Sequence, residues 1–259
     1  MITGLYAATT GMEGQHLALS NTANNLANVS TTGYKKTKVE FQDLLYHNLR
    51  PKGGDAGSGN KVPTGVEIGN GSQVVSTTKV FTKGDMKVTG GEMDYALDGD
   101  GFFQVLMPDG TTSYTKDGAL KIGPQGTITT ASGLTVQSGF QQIPMGGHLY
   151  VAENGEVTVK SASSTQNFRL QLARFANPGG LQSIGGNLYI ESDASGSAET
   201  GNPGENGFAF IRQGYLEMSN VNITEEMVNL IVAQRSYEAN SKSIQSADEM
   251  LGRINGIKR

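Results

Sequence analysis

The sequence predicts an α+β fold: long N- and C-terminal helices forming a coiled-coil-like domain, with a central Gly-rich all-β domain between them. Three observations carry this. All seven prolines and thirty of the 36 glycines lie between residues 46 and 220. Apolar residues recur every seven positions at both ends of the chain. The centre alternates short β-branched and aromatic runs with Asp-Gly and Asn-Gly turns. The boundaries follow: 1–45 and 221–259 as a terminal helical assembly domain, 46–84 as an extended connector, and 85–220 as the central β domain.

At the N-terminal end the seven-residue stripe is Leu5, Met12, Leu19 and Leu26. A strict heptad keeps one seam of a supercoiled helix facing its partner. Asn21, Asn24, Asn25 and Asn28 interrupt this composition without interrupting its period. At 100° per residue they fall within an arc of roughly 100°, opposite Leu19 and Leu26. Between Glu13 and Lys35 there is no Asp, Glu, Lys or Arg. The amides form a second face able to donate and accept hydrogen bonds without burying charge, and the expectation is that it meets other subunits or lines a channel. Gly33 is expected to supply the left-handed residue that stops the helix. Lys35, Lys36 and Lys38 read as a solvated turn, since nothing basic or aromatic extends them into a nucleic-acid patch.

Residues 51–72, PKGGDAGSGNKVPTGVEIGNGS, read as a connector with little core of its own. Beyond it, Phe102, Phe103, Val105 and Leu106 precede a Pro-Asp-Gly turn, Thr112–Thr115 follows, and Asn154-Gly155 is a hairpin signal. The C-terminal stripe is Ile223, Leu230, Tyr237, Ile244 and Leu251. Asn222 stands at the capping position with Glu225 three residues on. Glu225 and Glu226 suit the positive helix N-terminus, and Arg253, Lys258 and Arg259 the negative C-terminus. About 35 helical residues would span roughly 50 Å. The alternate seam positions, such as Ala233, Asn240 and Ala247, are small or polar. An isolated helix pair with so little apolar area is marginal, so the ends are expected to order when many copies pack together.

Composition excludes several classes of chemistry. Hydrophobic content is 36% and charge 17%, so Gly, Ser, Thr, Asn and Gln supply the polarity, as in β-structure rich in turns or in self-packing proteins. A net charge of −4, carried entirely by the centre, leaves neutral ends that can crowd together and no basic footprint for nucleic acid. With no cysteine there is no disulfide scaffold, thiolate metal site or Cys nucleophile. MITGLYAATTGMEGQ has neither a basic n-region nor an apolar h-region and does not read as a cleavable secretory signal. Asp98-Gly-Asp100-Gly lacks the third oxygen ligand of a calcium loop, Phe102 standing there instead, and reads as turns. The glycines at 69–71 and 99–101 lack the strand-then-helix context of a phosphate loop. His16, His47 and His148 have no metal-ligand spacing. No catalytic, cofactor-binding or metal residue is assigned, no cofactor is expected, and neither nucleic acid nor a small-molecule substrate is expected as a partner.

Asn24-Asn25-Leu26-Ala27-Asn28 followed by Thr31-Thr32-Gly33-Tyr34-Lys35, LDGDGFFQV (97–105), PDGTTSYTKDGAL (108–120) and the long block from Gln213 to Leu251 together resemble the rod/hook family of bacterial flagellar axial proteins. The resemblance runs along essentially the whole chain. Residues 46–74 look like the inserted connector of the family's distal-rod type. The resemblance implies a structural subunit and not an enzyme. Its terminal helices would build an inner coiled-coil tube around a channel, with the β domain outside, and the polymer would transmit torque from motor to hook. It implies self-association as a helical homopolymer, and proximal rod subunits, hook subunits, ring bushing proteins and the flagellar export apparatus as partners. It also implies a place in the flagellar basal body, reached without a cleaved signal and periplasmic where an outer membrane exists. The self-assembly residues implied are Leu5, Met12, Leu19, Asn21, Asn24, Asn25, Leu26, Asn28, Gly33, Ile223, Leu230, Tyr237, Ile244 and Leu251. The alternatives are a proximal rod or hook-type axial subunit, and a secreted β-rich cell-wall enzyme for which the sequence singles out no carboxylate pair.

Overall fold

The computed structural model describes residues 2–50, 52–53, 63–144, 146–161 and 165–257. Two helices flank a β-rich centre: α1 (Ile2–Ala27) and α2 (Ile223–Ile257). The chain divides into two compact units, one of residues 1–26, 37–78 and 223–259, the other of residues 27–36 and 79–222.

In the first unit α1 and α2 run antiparallel. Asn25 meets Glu226, and two heptads back along α1 a methyl group on Gly11 would come within 2.8 Å of Asn240 Nδ2, two heptads forward along α2. The line of α2 that is covered is therefore the small and polar one: Glu226 and Ala233 are buried, and Asn240 and Ala247 half-buried. The seam position Ile223 is exposed instead, as is Tyr237. Small residues let backbones approach where large apolar ones would hold them apart, which is why the alternate line wins the intramolecular contact. Strand β1 (Thr37–Asp43) lies against α1, where Gly14 leaves room for the Phe41 ring.

Four features depart from the sequence reading. The helix stops at Ala27, because Asn28 turns the chain: its carbonyl accepts from Thr31 N–H and its Oδ1 from Thr31 Oγ1. Gly33 has φ +67 but acts six residues later, within the loop. Part of the segment read as helical, residues 37–43, is strand β1. The segment read as an extended connector carries β2 (Tyr46–Arg50), β3 (Val66–Gly69) and β4 (Ser72–Lys79), with β2 paired to β3 and β1 to β4. Alternating β-branched residues there override the Gly-rich surroundings. Pro51 and residues 54–62 of that connector, and Lys258 and Arg259 beyond α2, lie outside the described residues.

The second unit is antiparallel β throughout. Strands β5 (Met86–Val88), β6 (Tyr95–Asp98), β7 (Phe103–Leu106) and β8 (Thr112–Thr115) lead into it. A seven-stranded sheet has the order 182–185, 188–190, β8, β7, 135–136, 128–129, 121–122. A three-stranded sheet joins 148–151, 156–160 and 165–169, turning at Asn154-Gly155 where Gly155 has φ +78. β6 pairs with 210–213 and β5 with 215–217. The main core gathers Tyr95, Leu97, Phe103, Val105, Val157, Leu170, Leu172 and Ile211. A smaller one stacks Phe102, Tyr114, Phe175 and Tyr189 edge to face. Lys116 is buried beside it, its Nζ donating to Gly99 O at 3.2 Å and lying 5.4 Å from the Phe102 ring centroid.

Gly118 backs onto β6, and a methyl group there would overlap the Tyr95 carbonyl oxygen. Gly118→Ala is expected to cost at least about 2 kcal/mol of stability in denaturant unfolding. Burial lowers the Lys116 pKa from 10.5 to about 8. Between those values the unfolded chain binds more protons than the folded one, so stability rises with pH from 8 to 10.5; below pH 8 this group contributes no slope. Unfolding compared at pH 7.5 and pH 10 should show that rise, and Lys116→Met should remove it.

Candidate assembly interface

The Asn-rich stretch is the junction of the first unit. Asn25 is 1% exposed. Its Nδ2 donates to Thr37 O at 2.9 Å and to Glu226 Oε2 at 3.4 Å, while its Oδ1 accepts from Thr37 N–H at 3.0 Å. One amide thus bridges α1, β1 and α2, satisfying both backbone groups of Thr37. A carboxylate or a lysine could not do so, since each offers only acceptors or only donors. Asn21 donates to the same Thr37 carbonyl at 2.7 Å. Asn24, about 100° around the helix from Asn25, is exposed.

The tail of the motif belongs to the second unit. Gly33 N–H donates to Glu217 O, and a methyl group at Gly33 would strike the Asp117 backbone at 2.7 Å, so both conformation and space require glycine there. Thr32 Oγ1 donates to Asp117 Oδ1, and Asn187 Nδ2 to Thr32 O. Tyr34 is buried, with Lys79 Nζ 5.0 Å from its ring centroid. Lys35 is fully buried: its Nζ donates to Glu217 Oε1 at 2.7 Å and to Thr82 O at 2.7 Å. Lys36 N–H donates to Asn220 Oδ1, whose Nδ2 donates to Val80 O. Residues 31–36 are therefore a strut laid between β8 and the strand that precedes α2.

Of the fourteen expected assembly residues, Asn25 and Gly33 are buried; Leu5, Met12, Leu19, Leu26, Asn21, Asn28, Leu230, Ile244 and Leu251 are half-buried; Asn24, Ile223 and Tyr237 are exposed. The structure joins Asn21 and Asn25 at one site and holds Gly33 at another. Lys35 corrects the solvated-turn reading. A lysine with no exposed atoms needs a buried acid, and Glu217, 182 residues away, gives no sequence signal of pairing. Asn220 and Glu226 were missed for the same reason. Asp98 is also occupied by protein cations: Lys83 Nζ donates to Oδ1 at 2.6 Å and Arg212 Nε to Oδ2 at 3.0 Å, Lys83 foremost holding its carboxyl below the usual range.

Among the described residues no group of three or more His, Cys, Asp and Glu is placed to hold a metal, and no helix is long and apolar enough to cross a membrane. Over residues 227–232 the opposite face of α2 is bare and apolar. Met227, Val228, Ile231 and Val232 are each 52–57% exposed, and at 100° per residue they centre roughly 180° from Glu226 and Ala233.

Three family models match this chain: the flagella basal body rod protein model over residues 5–35, the flagellar hook protein FlgE/F/G D1 domain over 96–159, and the flagellar basal body rod FlgEFG protein C-terminal model over 212–257. The chain is 42% identical to the flagellar basal-body rod protein FlgG of Borreliella burgdorferi, over all of both chains. It is 41% identical to that of Caulobacter vibrioides, over 95% of this chain and 96% of the relative, and 36% identical to that of Bacillus subtilis over all of both. The first model ends at the strut and the third begins in the strand pair that receives it, so the matches bracket the two terminal segments described above. This chain belongs to the FlgG family of flagellar basal-body rod proteins, structural components of the flagellum and not enzymes.

Proposed function

We propose that the chain is a subunit of the distal rod that self-assembles through its terminal helices into a helical tube transmitting torque from motor to hook. The single observation carrying this reading is the apolar face of α2. Four adjacent aliphatic and thioether side chains lie more than half exposed on the side turned away from α1. Exposed apolar patches of this kind mark association surfaces. On this reading neighbouring copies cover them, the seam residues Ile223, Leu230, Tyr237, Ile244 and Leu251 pack in a coiled-coil-like tube, and the β unit lies outside it. Neutral ends make the crowding tolerable. Its partners are further copies of itself, proximal rod and hook subunits, ring bushing proteins and the export apparatus. Its site is the basal body where it crosses the periplasm.

Asn25 takes a different part from the one its polar face suggests. Its amide is spent on Thr37 and Glu226, so it shapes the subunit that assembles. The tube contacts fall to the exposed residues.

Ile231→Glu and Val232→Glu place charges on side chains that are more than half exposed in the single chain. Each is expected to leave monomer unfolding unchanged within about 0.5 kcal/mol while abolishing polymerisation followed by sedimentation; filaments of normal yield would refute the reading. Removing residues 1–30 deletes α1 but keeps the strut. The truncated chain should stay monomeric with an intact β unit by circular dichroism, and filament formation by it would contradict assembly through the helices.

A further inference from the structure

The strut leaves an imbalance around Glu217. Its Oε1 accepts from both Lys35 Nζ and Gly84 N–H, the latter at 2.9 Å. Its Oε2, equally buried, accepts no hydrogen bond among the described residues. An ionised carboxylate oxygen without a donor is among the costlier states in a protein interior. Lys116 shows the complementary imbalance. Its ammonium has three donors, yet it is given one carbonyl and an aromatic face, although it is as buried as Glu217. The two groups flank the same segment: Gly33 lies against the Lys116–Asp117 backbone and donates to the Glu217 backbone. Thr32 is tied to Asp117, so withdrawing the strut would uncover Lys116 and Glu217 together.

We propose that Lys116 is a reserve cation for Glu217, taking its carboxylate when Lys35 is withdrawn and yielding it to Lys35 when the strut seats. The β unit can then close its interior before the N-terminal segment arrives, and the arrival of Lys35 is an exchange of one ammonium for another. A lysine suits this because its four-carbon stem swings a point charge between acceptors, where a guanidinium fork would be fixed. The charged groups acting on Lys116 are Glu217 and Asp100, which favour its ammonium, and Lys35, which opposes it. With Lys35 seated, burial and this repulsion outweigh the acids, and the Lys116 pKa is depressed. With Lys35 gone, one buried cation faces one buried anion, and the depression should lessen while burial still opposes the charge.

The test is a double-mutant cycle in the full chain, with Lys35→Met, Lys116→Met and the pair, each also combined with Glu217→Gln, together with an NMR titration of the Lys116 ammonium. Lys35→Met alone should fold, with the Lys116 midpoint rising by at least one pH unit from about 8 and falling back when Glu217→Gln is added. The double variant should lose more than tenfold more of its folding equilibrium constant than the two single losses combined, and Glu217→Gln should erase that excess. Additive losses would overturn the proposal, as would a Lys116 midpoint unmoved in Lys35→Met. So would a Lys35→Met chain that fails to fold, since the reserve cation is there to prevent that.

Discussion

The arrangement of the chain hangs on the buried pair of Lys35 and Glu217. It joins a residue just after the first helix to one just before the second, at 2.7 Å and with both side chains at 1% exposure or less. A buried ion pair adds little net stability over apolar packing, while removing one member and leaving the other buried and uncompensated costs about 3–5 kcal/mol. Around it the neighbouring hydrogen bonds fall into step. Gly33, Lys36 and Asn220 bond within a few residues of the pair, and Thr82 and Gly84 close over it. Within the second unit this pair is therefore a clasp between the strut and the strand that precedes α2.

Beyond the clasp the logic changes from charge to shape and amides. α1 and α2 approach through Gly11, Ala233 and Asn240, with Asn25 meeting Glu226 near the C-terminal end of α1. This contact spends the small, polar line of α2 and leaves the apolar line free. A helix whose inward face is small and polar and whose outward face carries an exposed aliphatic stretch is poorly completed alone, which suits the proposed polymer.

Much of this was legible in the sequence. Heptads gave both helices, Asn-Gly and Asp-Gly placed hairpins, and the motif from Asn24 to Lys35 carried the family resemblance. What the sequence hid were pairings across long separations. Lys35 looked like one of three turn lysines because its acid lies 182 residues away. The Asn face looked like an intersubunit surface because Thr37, the partner of Asn21 and Asn25, lies among lysines that read as a solvated turn past the helix end. The seam reading chose the apolar line at each end, whereas close packing within one chain selected the small residues beside it. In each case local pattern was right about the element and silent about which face the tertiary structure would use.

A three-dimensional reconstruction of the polymer formed by the full chain tests the central claim most directly. The account requires α2 helices of neighbouring subunits to line an inner tube, with Met227, Val228, Ile231 and Val232 covered by other copies and Lys35 still paired to Glu217 inside each one. A polymer held together by its β units, with that face of α2 open to solvent, would contradict it.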